Sequence, residues 1–306
     1  MIVSSSTRYN FQLLRAGPLR LDGGSMFGII PRVVWSKLMP VDERGRIEVA
    51  HNCLLLSRVD DPNFRVLIET GSGDKFDAKN RDIFGLTDRT IIQALAEVSV
   101  APESIKHVVV SHLHFDHTGG VTRRAPDDSI AITFPNAPIH VQRREWDDAI
   151  ANNSVMTRTY LRENLEPIRD RLNLIDSPRP YPPGHEPGRD ELPKSPAIDR
   201  LTEILPGIFS LIVPGHTWAQ QAVLFTDDRG RSIVFTPDVM PTVHHVGATY
   251  NMAYDVEPYI STNSRRWFLQ AALENDWTLA IDHEPGNPFR RVQPDGRGWF
   301  KLDAES

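Results

Sequence analysis

Residues Val108 to Gly120 read VVVSHLHFDHTGG. Three consecutive valines favour an extended, buried strand, and they run directly into His112, His114, Asp116 and His117 before a Gly-Gly pair closes the stretch. In an extended segment, His112 and His114 point to the same side. A loop at the end of a strand can then aim several side chains at one point. A lone histidine is ordinarily a hydrogen-bonded core or surface residue. Four metal-binding side chains within six residues are a different matter. Burying them without a partner is costly, and a divalent cation is the usual compensation.

One such cluster does not complete a two-ion site, which takes about seven or more ligand atoms and a carboxylate between the ions. The remaining ligands are expected in loops that directly follow apolar strands. Three positions repeat that pattern: His216 after SLIVPG, Asp238 after RSIVFTP and His283 after TLAID. The repetition turns a local motif into a distributed site.

The rest of the chain sets the frame. Its 306 residues suffice for one large α/β domain or two small ones. Hydrophobic residues make up 40% and charged residues 24%, an ordinary globular composition. No apolar run reaches the ~20 residues that span a bilayer, and the first residues lack the pattern of a signal peptide. The single cysteine, Cys53, excludes an internal disulfide and fits a reducing compartment, so a cytoplasmic location with no membrane partner is expected. A net charge of −6 without a basic run argues against a nucleic-acid partner.

The coarse pattern is strands followed by helix–strand alternation. NFQLLRAGPLRLDGG reads as a strand or hairpin, HNCLLLSRV, FRVLIETG, KHVVVSHL, AITF, GIFSLIVPGHT, QQAVLFTDD and RSIVFTPD as strands, and WTLAIDHEPG as the last short one. TDRTIIQALAEV reads as a helix capped by Thr87 or Asp88, SRRWFLQAALEND as another, and Leu161, Leu165, Ile168 and Leu172 lie on one helical stripe. Ser177 to Pro196, SPRPYPPGHEPGRDELPKSP, is too proline-rich for helix or inner strand and reads as an ordered flap. The expectation is an α/β fold of two mixed sheets packed face to face with helices outside. It forms one domain over 1–306, with an N-terminal lead-in over about 1–50 and an insertion of helix plus flap over about 150–200.

SHLHFDH, then PGHT, then TPD, then DHEP, resembles the metallo-β-lactamase superfamily in motif order and spacing over most of the chain. Within it the chain is similar to the quorum-quenching lactonases that open N-acyl-homoserine lactones. The closer likeness is to a subgroup with a long lead-in, here LDGGSMFGIIPRVVWSKLMPVDERGRIEVAHNCLLL, together with FPNAPIHVQRREW and DVMPTVHH…YNMAYD. The resemblance implies an αβ/βα sandwich carrying two divalent ions. His112, His114 and His216 would hold the first, Asp116, His117 and His283 the second, and Asp238 would bridge them. Zinc is the expected metal, and iron, manganese or cobalt would bind the same set. A metal-bridging hydroxide would attack the lactone carbonyl, with Asp116 shuttling the proton. Enzymes of this kind are often homodimers.

Three positions depart from the family pattern. Glu69 stands where the family has the aspartate of D-T-G, Pro237 precedes the bridging carboxylate, and Pro241 occupies the place of a substrate-facing tyrosine. His244, His245 or Tyr254 are candidates to replace that tyrosine, and Met26 and Phe27 to cover the cleft and hold an acyl chain, with Trp35 as core packing. His51, His107, His140 and His185 receive a structural reading. The competing function is phosphotriester or aryl-ester hydrolysis with the same metal site, and a glyoxalase-type thioesterase stays open. A β-lactamase is disfavoured by Asp238, an oxygen-reducing diiron protein by His114, a nuclease by charge, and a silent ligand-binding protein by the seven intact ligand positions.

Overall fold

The computed structural model describes residues 6–151, 158–182, 185–188 and 191–305. Parts of the expected insertion and of the flap, 152–157, 183–184 and 189–190, lie outside the described residues. The chain divides into two compact units. The first comprises residues 9–20 and the described part of 50–176; the second comprises 6–8, 21–49 and the described part of 177–305.

The first unit is built on a mixed sheet. In chain order its strands are most of β1 (Tyr9–Asp22) and of β2 (Arg46–Arg58), then β3 (Arg65–Ile68), β4 (His107–Val109), the two-stranded β5 (Thr122–Arg124) and β6 (Ile130–Ile132), β7 (Ile139–Gln142) and β8 (Leu172–Ile175). The main sheet runs β1-β2-β3-β4-β7-β8. The β2–β3 pair is antiparallel, whereas β3–β4, β4–β7 and β7–β8 are parallel. Val108, Val109 and Val110 are fully buried, as a continuous apolar run in a parallel sheet should be. Parallel strands release their following loops at one edge. The segments after β3, β4 and β7 therefore leave the sheet together, and these carry Glu69, the His112–His117 cluster and Glu145.

The second unit has a sheet of seven strands in the order β15-β14-β13-β12-β11-β10-β9. They are β9 (Thr202–Leu205), β10 (Ile208–Ile212), β11 (Gln221–Thr226), β12 (Ser232–Thr236), β13 (Thr278–Ile281), β14 (Phe289–Pro294) and β15 (Phe300–Ala304). β10 and β12 are each antiparallel to β11, and β13 is parallel to β12. So β10, β12 and β13 all run the same way, and the loops after them, with His216, Asp238 and His283, emerge at one edge. The helix Pro258–Glu274 packs Trp267, Phe268, Leu269, Ala271 and Ala272 into that unit's core.

The α/β class with two mixed sheets and accompanying helices is what the structure has. Several local expectations shift. The helix Ile91–Glu97 starts from Thr90, whose hydroxyl caps Ile92 while the Gln93 side chain returns to the Thr90 N–H, a reciprocal cap that neither Thr87 nor Asp88 offers. The Leu161–Leu172 stripe is one short helix, Arg162–Leu165, then a 3₁₀ segment over Glu166–Arg171, and Leu172 begins β8. Pro167 interrupts the helix there. WTLAIDHEPG is not the last strand: β14 and β15 follow, and their charged, partly exposed residues hid them from an apolar-run search. The described flap residues are ordered by their own bonds. Tyr181 donates to Glu191 O at 3.0 Å, Tyr259 to Gly188 O at 3.2 Å and Trp267 Nε1 to Ser195 O at 3.0 Å. Among the described residues no helix is long and apolar enough to cross a membrane.

Candidate metal centre

In the first unit the loop after β4 gathers its four ligand candidates tightly. The ring centroids of His112 and His117 lie 3.9 Å apart and those of His112 and His114 4.5 Å apart. Ser111 Oγ is 3.0 Å from His112 Nδ1. His117 Nδ1 faces Glu69 Oε2 at 3.1 Å, and Glu69 Oε1 accepts the Ser111 N–H at 2.5 Å. With both Nδ1 atoms engaged, Nε2 is the ligand atom each of these two rings offers. The longer glutamate arm thus reaches the ligand loop from a position where the family has aspartate. It does so from a left-handed backbone at φ 66°, which costs an L-residue about 1–2 kcal/mol. Asp116 is the most accessible of the four, with 11% of its side chain exposed.

The Gly-Gly pair has a geometric reason. A Cβ on Gly119 would stand 2.1 Å from Ser72 O, and one on Gly120 2.3 Å from Thr70 O. Only bare backbone lets the loop after β3 lie against the ligand loop, where Thr70 Oγ1 donates to His117 O at 2.7 Å. Lys75, buried beneath, donates to Gly119 O and Thr122 O, and burial lowers its ammonium to about 8. Glu145, fully buried, accepts the Leu113 N–H at 3.0 Å and the Tyr160 hydroxyl at 3.3 Å. The Tyr160 ring lies 5.1 Å from the His114 ring. Burial, then the Glu145 charge, pushes the Tyr160 phenol up, so it remains a donor.

In the second unit, Asp238 sits just beyond β12 with one oxygen toward each of two histidines. Oδ2 is 3.0 Å from His216 Nε2, and Oδ1 is 3.4 Å from His283 Nε2. Asp255 Oδ1 takes the other nitrogen of His216, Nδ1, at 3.0 Å. Burial disfavours a charged ring there, yet the Asp238 and Asp255 carboxylates on either side raise His216 to about 10. This donor set demands positive charge at Nε2, which a divalent ion supplies as well as a proton does. Asp282, the neighbour of His283, has a ligand atom within 4.8 Å of those of Asp238 and His283, and its Oδ1 accepts the His283 N–H at 2.8 Å. Buried imidazole nitrogens and carboxylate oxygens in this mixture fit a divalent transition metal.

The remaining candidates divide. Met26, Phe27 and His245 are fully buried. The Phe27 ring stacks at 5.5 Å from Trp35 and 5.0 Å from His245, with Tyr250 edge-on at 6.0 Å. His245 Nε2 donates to Met26 O at 2.8 Å, and Thr242 Oγ1 meets its Nδ1 at 2.8 Å. Met26 and Phe27 of the lead-in thus pack on the segment after Asp238 through His245. His244 and Tyr254 are half-buried. The four structurally read histidines each have a partner: His51 with Gly17 O and Ser72, His107 with His140, and His185 with Glu191. Cys53 is buried, and burial raises its thiol well above the usual range. Sequence reasoning missed Asp255 and Glu145 because their partners lie 39 and 32 positions away. YNMAYD and VQRREW contain them without any local sign of what they touch.

Glu69→Gln is expected to weaken divalent-metal affinity by about 10–100-fold, the usual effect of removing a carboxylate that orients a ligand imidazole. Chelator competition on the purified variant reads it, and an affinity unchanged from wild type would refute the role.

Residues 46–283 match a family model described as the metallo-beta-lactamase superfamily. An N-acyl homoserine lactonase of Bacillus sp is 26% identical over 202 residues, covering 62% of this chain and 64% of that protein. The match thus spans less than two thirds of the relative's length. A probable metal-dependent hydrolase from Staphylococcus aureus aligns with a TM-score of 0.79 at 24% identity, covering 97% of this chain and 98% of its own. AidC, a dizinc quorum-quenching lactonase in complex with a product, aligns with a TM-score of 0.72 at 18% identity, covering 100% and 97%. At such identities the structural likeness is one of fold.

Proposed function

The chain belongs to the metallo-β-lactamase superfamily, and on that premise we propose that it is a dinuclear metal hydrolase that opens lactone rings, with N-acyl-homoserine lactones as substrates and quorum quenching as the outcome. The observation that carries the reading is Asp238, whose two oxygens face two different histidines, as a carboxylate shared by two ions must. The lactonase relatives support the substrate class.

His112, His114 and His216 would hold one ion, Asp116, His117 and His283 the other, and Asp238 both. Two such ions supply Lewis acidity and a water acidic enough to lose its proton near neutral pH. The chain's own groups do the rest. Asp255 and Glu69 engage the Nδ1 atoms of His216 and His117 and so keep each Nε2 directed at its ion. Glu145 holds the peptide between His112 and His114. As the bond from the carbonyl carbon to the ring oxygen breaks, that oxygen needs a proton, and Asp116, the accessible carboxylate, carries it. Zinc is the expected ion.

The test is hydrolysis of short- and long-chain acyl-homoserine lactones, a simple aliphatic lactone, a phosphotriester and an aryl ester by metal-quantified protein. Rapid opening of the homoserine lactones is expected. Two bound ions with lactones untouched and the phosphotriester or aryl ester cleaved would keep the site and overturn the substrate.

A further inference from the structure

We propose that Arg265 is the positioning residue that locks Asp238 and His216 into one rigid half-site; the proposal rests on the metal-hydrolase reading above. Arg265 lies in the helix Pro258–Glu274 and is only 1% exposed. Its guanidinium is spent on a single segment. Nη1 donates to Val239 O at 3.3 Å and to Tyr250 O at 2.9 Å, and Nη2 donates to Ala248 O at 3.1 Å and to Asn251 Oδ1 at 2.8 Å. Burial lowers its pKa to about 10, with Asp255 acting the other way, so the group stays charged at neutral pH.

What matters is where those acceptors sit. Val239 follows Asp238 directly. Ala248, Tyr250 and Asn251 lie at the far end of the same segment, just ahead of Asp255. The His216 ring spans the two carboxylates, Asp238 on Nε2 and Asp255 on Nδ1, at 3.0 Å each. A closed circuit results: Asp238, His216, Asp255, the 248–251 backbone, Arg265, Val239 and back to Asp238. The guanidinium is the member that ties the two ends of the segment together. Four acceptors in different directions suit a planar fork with five N–H donors; an ammonium has three donors at one point and cannot span them. Asn251 extends the circuit, since its Nδ2 donates to Pro258 O and Thr262 Oγ1 at 2.7 Å each on the same helix. A helix that carries none of the candidate ligands would thereby determine where two of them stand.

Arg265→Lys and Asn251→Ala test this against a purely structural role. Zn(II) affinity by chelator competition, metal-free thermal unfolding, and kcat and KM on an acyl-homoserine lactone are measured for each. Arg265→Lys is expected to weaken Zn(II) binding about 10–100-fold and to lower kcat more than it changes KM, with Asn251→Ala shifted the same way to a smaller extent. A lower unfolding temperature with Zn(II) affinity and kcat within about twofold of wild type would overturn the proposal. Should Arg265→Lys fail to fold, Asn251→Ala decides: weaker Zn(II) binding supports the circuit, and wild-type binding overturns it. Wild-type protein that binds no divalent ion would sink the metal-hydrolase reading itself. Wild-type protein with two ions beside an Arg265→Lys variant that binds equally well would sink only the role of Arg265.

Discussion

Asp238→Asn is expected to cut lactone hydrolysis by about 10³-fold, the scale on which removing one electrostatically placed group acts, and to leave fewer than two ions bound per chain. The two oxygens of Asp238 face His216 Nε2 at 3.0 Å and His283 Nε2 at 3.4 Å. An amide of the same shape replaces one of these oxygens with an NH₂ group that donates and cannot ligate. It also removes the negative charge that, with Asp255, favours positive charge at His216. Because the substitution is nearly isosteric, no cavity confuses the result. Turnover and metal content are measured on the same preparation. A variant that keeps two ions and wild-type turnover would rule out a bridging role for this carboxylate.

The protein is expected to lose stability as pH falls below about 6.5 through two buried histidines that lie outside the ligand set. His140 and His245 are buried and held neutral. Burial, then the neighbouring His107, lowers His140 to about 4, while burial is the main cause that lowers His245 to about 3. Their folded values lie below the unfolded value near 6.5, so the unfolded chain takes up the protons first. Their contribution is therefore complete above pH 6.5, declines as the pH drops, and stops declining only near pH 4 for His140 and near pH 3 for His245. The slope is about 1.4 kcal/mol per pH unit for each histidine. Between neutral pH and pH 5 the pair accounts for roughly 4 kcal/mol. Urea unfolding of metal-free wild type and His140→Gln is compared at pH 6.5, 6, 5 and 4.5, and the variant should lose about 1.4 kcal/mol per pH unit less than wild type. Equal slopes in wild type and variant would contradict neutral burial of His140.

The flap and the last strands show where reading residues in order fails. Ser177–Pro196 announced itself by its prolines, but its attachment through Tyr259 and Trp267 joins residues about 70 positions apart. The strands β14 and β15 contain Arg290, Arg291 and Lys301; their identity as strands comes from pairing with β13 and with each other, which no local pattern encodes.

By itself the sequence determined the α/β class and the buried β4, and it singled out the candidate donors His112, His114, Asp116, His117, His216, Asp238 and His283. Each is legible because side-chain chemistry and strand periodicity are local properties that survive without a fold. The tertiary structure alone decided that Glu69 reaches His117 despite its unusual length, that Asp255 and Glu145 meet His216 and the His112–His114 peptide, and that Phe27 and His245 stack on each other. It alone showed that Arg265 gathers the segment beyond Asp238. These are relations between residues far apart in the chain, set by parallel strands that deliver their loops to one edge and by a helix folded back on the segment it holds. Burial then makes every such polar contact obligatory, because no water is there to replace a missing partner.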